Sequence, residues 1–168
     1  MVVFASITLI IMFYKLLFLL IFPVILLSSC SEDVVLSKEQ LLLNAISELE
    51  KRFEERKLGR IVEYVSVNYK DEEGRGLKDV KRVIQLQLMR HKKLFVFSTI
   101  NDTQWIDEDN AQVKITAAMA GAPISSASLL TSIRADMIKF TVDFVLEDKI
   151  FKVKSAKWTW ASPSDFID

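Results

Sequence analysis

From Leu94 onwards the apolar residues of this chain fall on every second position, and that alternation restricts it to folds built on a long antiparallel sheet. Leu94 to Ile100 is rich in aromatic and β-branched residues and predicts the first strand. Trp105 and Ile106 either extend it or begin the return, and Asp107-Glu108-Asp109-Asn110 is a turn. Val113, Ile115, Ala117 and Met119 form the inner face of the next strand. Gly121-Ala122-Pro123 breaks it, and a loop of small residues runs to about Ser132. Ile138, Phe140, Val142, Phe144 and Leu146 then alternate with Lys139, Thr141 and Asp143. After the turn Glu147-Asp148-Lys149, Phe151 and Val153 open a last strand against Lys152 and Lys154. Trp158 and Trp160 have the opposite parity from Phe151, so a β-bulge near Ser155-Ala156 is required to keep one facing.

The residues before this sheet carry a helical period. Ser37-Lys38-Glu39-Gln40 reads as a capping box, followed by the stripe Leu42, Ile46, Leu49 and Phe53. Glu48, Glu50, Lys51, Glu54, Glu55 and Arg56 form its solvated face, and Gly59 is the expected stop. A short helix is expected over Arg60 to Val65, an extended piece over Ser66 to Tyr69, and an acidic turn over Lys70 to Gly74. Leu77, Val80, Ile84 and Leu88 give another helical stripe that ends in Arg90-His91-Lys92-Lys93, cations suited to a helix C-terminus. Helices followed by a four-stranded meander define an α+β fold, with helices packed on one face of a curved sheet.

This order is similar to that of the NTF2-like superfamily, which includes SnoaL-like proteins and ketosteroid-isomerase-like enzymes. The resemblance spans about residues 38–160. It is carried by Glu54-Glu55-Arg56-Lys57-Leu58-Gly59, Ile61-Val62-Glu63-Tyr64-Val65-Ser66, Tyr69-Lys70-Asp71, Gly76-Leu77-Lys78-Asp79-Val80 and the terminal hairpin with Trp158. Ala118-Met119-Ala120-Gly121 and Arg134-Ala135-Asp136 resemble a subgroup of bacterial envelope proteins. The resemblance implies an NTF2-like cone over residues 37–162, with a cavity at its open end and a tail over 163–168. It also implies a possible homodimer through the outer face of the sheet.

The N-terminus speaks to location. Lys15 precedes an uncharged apolar run from Leu16 to Leu27, and Ser28, Ser29 and Cys30 follow. A basic region, an apolar core and a small-residue exit are the pattern of a secretory signal peptide. Leu27-Ser28-Ser29-Cys30 resembles the lipobox of bacterial lipoproteins, which implies cleavage between Ser29 and Cys30 and acylation of Cys30. Cys30 is the single cysteine of the chain and has no disulfide partner. The alternative is a plain transmembrane anchor, since residues 1–29 are long enough to span a bilayer. Residues 1–11 precede Met12 without a charge, and Met12 gives a more ordinary signal start. On the lipobox reading, residues 30–36 are a short tether and the partner is a membrane. Position 31 is Ser rather than Asp, which by resemblance favours the outer membrane facing the periplasm in a diderm host. In a monoderm host the same signal places the protein outside the cell.

Composition narrows the function. A chain cut before Cys30 keeps 139 residues with 21 basic and 22 acidic side chains, a net charge of −1. Such a domain has no electrostatic footprint for nucleic acid. One histidine, one cysteine and scattered carboxylates make no zinc site, and no cofactor is expected. His91 reads as a solvated helix-terminal residue, and Asp71, Glu72 and Glu73 as a solvated turn that lacks the ligand spacing of a calcium loop. Asp143 has outward parity. Asp136 shares its parity with Phe140 and either faces the cavity, pairs with a nearby cation such as Arg134, or starts the strand in solvent. Candidate pocket residues are Tyr64, Tyr69, Trp105, Met119, Phe140, Trp158 and Asp136, with Ala117, Ala118, Ala120 and Gly121 leaving room near the mouth; for most of the tyrosines and tryptophans the favoured alternative is ordinary sheet–helix core. No catalytic residue is assigned. The expected function is binding of a small apolar ligand or of another envelope protein. The alternatives are a SnoaL- or isomerase-like enzyme using Asp136 or Tyr69, and a structural dimerisation module. An enzyme requires a buried carboxylate or tyrosine hydroxyl in a cavity of about 300 Å³ or more.

Overall fold

The computed structural model describes residues 36–166. The expectations for Met12, Ser29, Cys30 and the tether lie outside the described residues. Leu36–Asp168 is a compact unit with its own cores. It contains α1 (Lys38–Glu54), α2 (Leu58–Val62), α3 (Leu77–Arg90) and a sheet of β1 (Phe95–Trp105), β2 (Asn110–Ala120), β3 (Ala135–Glu147) and β4 (Ile150–Trp160). The strands pair antiparallel in the order β1-β2-β3-β4.

The capping box forms as read: Ser37 Oγ accepts from the Gln40 N–H at 3.2 Å, and the Ser37 N–H donates to Gln40 Oε1 at 2.9 Å. Gly59 does not stop α1. Arg56 takes the left-handed conformation (φ 57°) just past the helix, and Gly59 lies inside α2, which starts and ends earlier than expected. Arg56 also uses its guanidinium, donating to the carbonyls of Leu88 and Lys92 at 2.7 and 2.8 Å. These bonds satisfy free carbonyls at the end of α3 and tie the ends of α1 and α3 together. At the other end of α3, Asp79 Oδ2 accepts the Gly76 N–H at 3.3 Å.

Cross-fold hydrogen bonds reach both edges of the sheet. The Glu54 carboxylate accepts the Val96 N–H of β1 at 2.9 Å. At β4, Val153 exchanges backbone hydrogen bonds with Tyr64 and Ser66, and the Lys70 N–H donates to Lys154 O. Residues 66–69 therefore form a turn against the β4 edge rather than the expected extended piece. At β4 these bonds keep backbone donors from recruiting another strand.

Two bulges shape the strands. Ile100 pairs with Ile115 and Asp102 with Lys114, so Asn101 is the extra residue that lets β1 continue to Trp105. Asp143 pairs with Ser155 and Phe144 with Val153, which places the second bulge at Lys154, one residue before the expected position. Its effect is the expected one. Phe151 and Val153 face the helices before it, and Ala156, Trp158 and Trp160 after it.

The core has three parts. Leu42, Ala45, Ile46, Val113, Val142, Phe144 and Phe151 join α1 to the concave face. Ile61, Ile84, Leu88 and Leu94 join α2 and α3. On the outer face, Ala118 is covered by Leu130 from the 3₁₀ turn Ala127–Thr131 and by Phe166 from the 3₁₀ turn Pro163–Phe166. Phe166 lies 5.9 Å from the ring of Phe97. Part of the outer face is thus occupied by the chain's own loops.

Candidate functional site

The concave face of the sheet and the helices enclose a cavity of about 520 Å³. Alternation supplies its floor: Val96 and Ser98 from β1, Ile115, Ala117 and Met119 from β2, Ile138 and Phe140 from β3. Leu49, Glu50 and Phe53 of α1 form one wall, and Val80, Val83, Ile84 and Gln87 of α3 another. Trp158 and Trp160, turned inward by the Lys154 bulge, stand at the mouth with their rings edge to face at 5.6 Å.

Of the seven pocket candidates, Tyr69, Met119, Phe140 and Trp158 line this cavity. The other three sit elsewhere. Tyr64 packs on the core beneath the Arg52 guanidinium, 4.3 Å from its ring centroid. Trp105 lies past the Asn101 bulge, where it pairs with Ala111 and packs edge-on to Phe151 at 5.8 Å. Asp136 has the inward parity, but its position opposite Met119 lies beside the end of α3, where Oδ2 is 3.4 Å from His91 Nε2. Asp136 faces His91 and not Arg134. His91 is correspondingly not solvated: its Nε2 is buried without a hydrogen-bond partner among the described residues. Of the small residues, Ala117 lines the cavity and Ala118 belongs to the outer-face core. Asp143 has the outward facing expected of it and bonds to Gln112 and Ser155.

Two polar clusters reach the cavity. The Ser98 hydroxyl donates to Glu50 Oε1. Glu50 belongs by composition to the solvated face of α1, yet it lies four residues after Ile46, on the border of the apolar stripe. Ser98 carried a signal too, as a polar residue at an inward strand position.

The second cluster is Tyr69, Asp71 and Arg75. Asp71 is buried rather than part of a solvated turn. Its Oδ2 accepts from Arg75 Nε at 2.7 Å and faces the Tyr69 hydroxyl at 3.4 Å, and its Oδ1 accepts the N–H groups of Glu73 and Arg75. Burial works to raise the Asp71 pKa, but the Arg75 side chain and these backbone donors together hold it below the ordinary carboxylate value. Burial, with the Asp71 charge beside it, pushes the Tyr69 hydroxyl up to about 12. Tyr69 is therefore a neutral donor at physiological pH, and Asp71 is an anion whose lone pairs are already engaged. Among the described residues no cluster of His, Cys, Asp or Glu could hold a metal ion, and no helix is long and apolar enough to cross a membrane.

The architecture is that of an α+β cone closed over an apolar pocket, and solved structures of the NTF2-like fold share it. A protein of the NTF2-like family from Streptomyces avermitilis, provisionally named a dehydratase, superposes with a TM-score of 0.55 at 13% identity, covering 73% of this chain and 94% of that one. An NTF2-like protein of unknown function from Shewanella oneidensis matches with a TM-score of 0.53 at 10% identity, covering 71% and 97%. Bd1075 of Bdellovibrio bacteriovorus matches with a TM-score of 0.56 at 12% identity over 72% of this chain, which spans 40% of that protein's chain. No family model and no curated protein matches the chain. At these identities the likeness establishes the fold.

Proposed function

We propose that this chain is a lipid-anchored cell-envelope protein whose NTF2-like domain holds a small apolar ligand without transforming it. The observation that carries the ligand reading is the cavity of about 520 Å³, whose lining is mostly apolar and in which Arg75 and Glu50 are bonded to Asp71 and Ser98. Volume and lining match the sites that take small molecules. Asp71 is held by Arg75 and Tyr69 is a neutral donor, while Glu50 accepts from Ser98 through Oε1 alone and is the lining carboxylate that an enzyme reading would have to use. A general base needs a free lone pair within reach of its proton. Asp136, the carboxylate of the enzyme alternative, stands outside the lining and against His91. The anchor reading rests on the Leu27-Ser28-Ser29-Cys30 sequence and assigns Cys30 as the acylated residue.

Titrating a chain that starts at residue 31 with the neutral probe N-phenyl-1-naphthylamine tests the pocket. Saturable one-site binding is expected, and Ala117→Phe, which fills the floor, abolishes it. Binding that ignores this substitution contradicts the reading. For the anchor, intact mass measurement of the membrane-extracted protein is expected to give an acylated species beginning at Cys30, absent from Cys30→Ala. An uncut chain contradicts it.

A further inference from the structure

The cations of this chain are unevenly placed. Net charge over all 168 residues is zero, yet Leu77 to Lys93 holds Lys78, Lys81, Arg82, Arg90, Lys92 and Lys93 against the single carboxylate of Asp79. All six cations are exposed, and none lies within ion-pair distance of a carboxylate among the described residues. Elsewhere Lys38, Lys114, Lys139, Lys152 and Lys157 are paired, and Arg60, Lys70, Arg134, Lys149 and Lys154, which have no such partner among the described residues, are scattered along the chain rather than gathered on one helix.

Large apolar side chains are exposed on the same helix. Val83, Leu86 and Met89 follow one another at three-residue steps and are 42%, 53% and 70% exposed. At that spacing they share one side of α3 with Arg82 and Arg90. Val83 and Arg90 also line the cavity together with Trp158 and Trp160, which are 45% and 67% exposed. Residues that line a cavity while remaining open to solvent form its mouth, so the two tryptophans and the α3 face are continuous around one opening.

We propose that this face docks on an anionic lipid bilayer, with Trp158, Trp160, Leu86 and Met89 at the depth of the headgroups and the cavity opening onto the membrane. Tryptophan suits that depth because its ring is apolar and its N–H is wet. Unpaired cations beside an apolar stripe match a negatively charged lipid surface. A second copy of the chain does not fit, since a two-fold contact through this face would set its cations against their own copies. The proposal extends the pocket reading by giving the ligand a source, an amphiphile taken from the bilayer. The docking itself requires neither that reading nor Cys30.

The test uses a chain that starts at residue 31, carrying Trp105→Phe so that only Trp158 and Trp160 fluoresce. It is sedimented with vesicles of phosphatidylcholine alone and with vesicles of equal parts phosphatidylcholine and phosphatidylglycerol. Affinity for the second is expected to be at least about tenfold higher, to fall in high salt, and to accompany a blue shift in tryptophan emission. Lys81→Glu with Arg82→Glu is expected to remove that preference. Leu86→Ser, a surface change with no core contact to lose, is expected to weaken binding to both vesicles. Equal affinity for the two vesicle types overturns the proposal, as does self-association with no vesicle binding. Probe uptake measured without vesicles keeps the two readings apart. Docking that persists when the probe is not taken up upholds this proposal and overturns the pocket reading.

Discussion

Arg75 Nε donates to Asp71 Oδ2 at 2.7 Å, and the side chain of that carboxylate is 2% exposed. The pair closes the loop from Tyr69 to Gly76 and sets one wall of the cavity. Removing the cation leaves a buried carboxylate with only backbone donors. Arg75→Ala is therefore expected to destabilise the domain by about 2–4 kcal/mol, somewhat below a fully buried pair because the guanidinium is partly solvated. Urea unfolding measures it, as a lower midpoint with an unchanged slope.

The same carboxylate gives a pH dependence of definite sign. The Asp71 pKa lies lower in the folded state than its ordinary value of 3.8. Its contribution is complete above that value and is lost as pH falls through the folded pKa. The stability difference between the wild type and Asp71→Asn should hold constant near neutrality and shrink below about pH 4. A difference that persists to lower pH contradicts the assignment.

Tyr69 behaves in the opposite sense. Its hydroxyl is raised from 10.0 to about 12, so folding favours the neutral phenol. That contribution is complete below pH 10 and disappears as pH rises through about 12. Ultraviolet titration of the folded protein is expected to show a late phenol that Tyr69→Phe removes.

The Lys154 bulge makes a structural prediction. Phe151 is fully buried before it, and Trp158 and Trp160 stand at the pocket mouth after it. Deleting Lys154 makes Val153 and Ser155 consecutive partners of Phe144 and Asp143, and places Phe151, Val153, Ala156, Trp158 and Trp160 on one unbroken alternation. The deletion is therefore expected to keep Phe151 in the core and the tryptophans at the mouth, with the fold and probe binding both retained. Thermal melting read beside probe titration checks this, and loss of probe binding with the fold kept contradicts the role of the bulge.

Most of this fold was legible because it is written in period. The strands follow from alternation, α1 from its capping box, and the bulge from the parity break between Phe151 and Trp158. What could not be read depends on contacts across the fold. Glu50 and Glu54 look solvated on a helical wheel, but β1 brings Ser98 and the Val96 N–H to them. Arg56 rather than Gly59 takes the left-handed position past α1, and its guanidinium holds carbonyls at the end of α3. His91 looked like a solvated cap until β3 placed Asp136 against it. Among the site residues, alternation located Met119 and Phe140 and the parity break located Trp158, whereas Trp105, whose place alternation left open, lies at the far end of β1 against Phe151.

The central claim is that the cavity takes the ligand, and the methionine methyl groups test it most directly. Met119 lines the cavity and Met137 packs on the outer-face core. Methyl NMR spectra recorded through a titration with N-phenyl-1-naphthylamine are expected to show the Met119 resonance shifting to saturation while Met137 stays in place. Saturable binding with Met119 unmoved would place the probe outside the cavity and contradict the account.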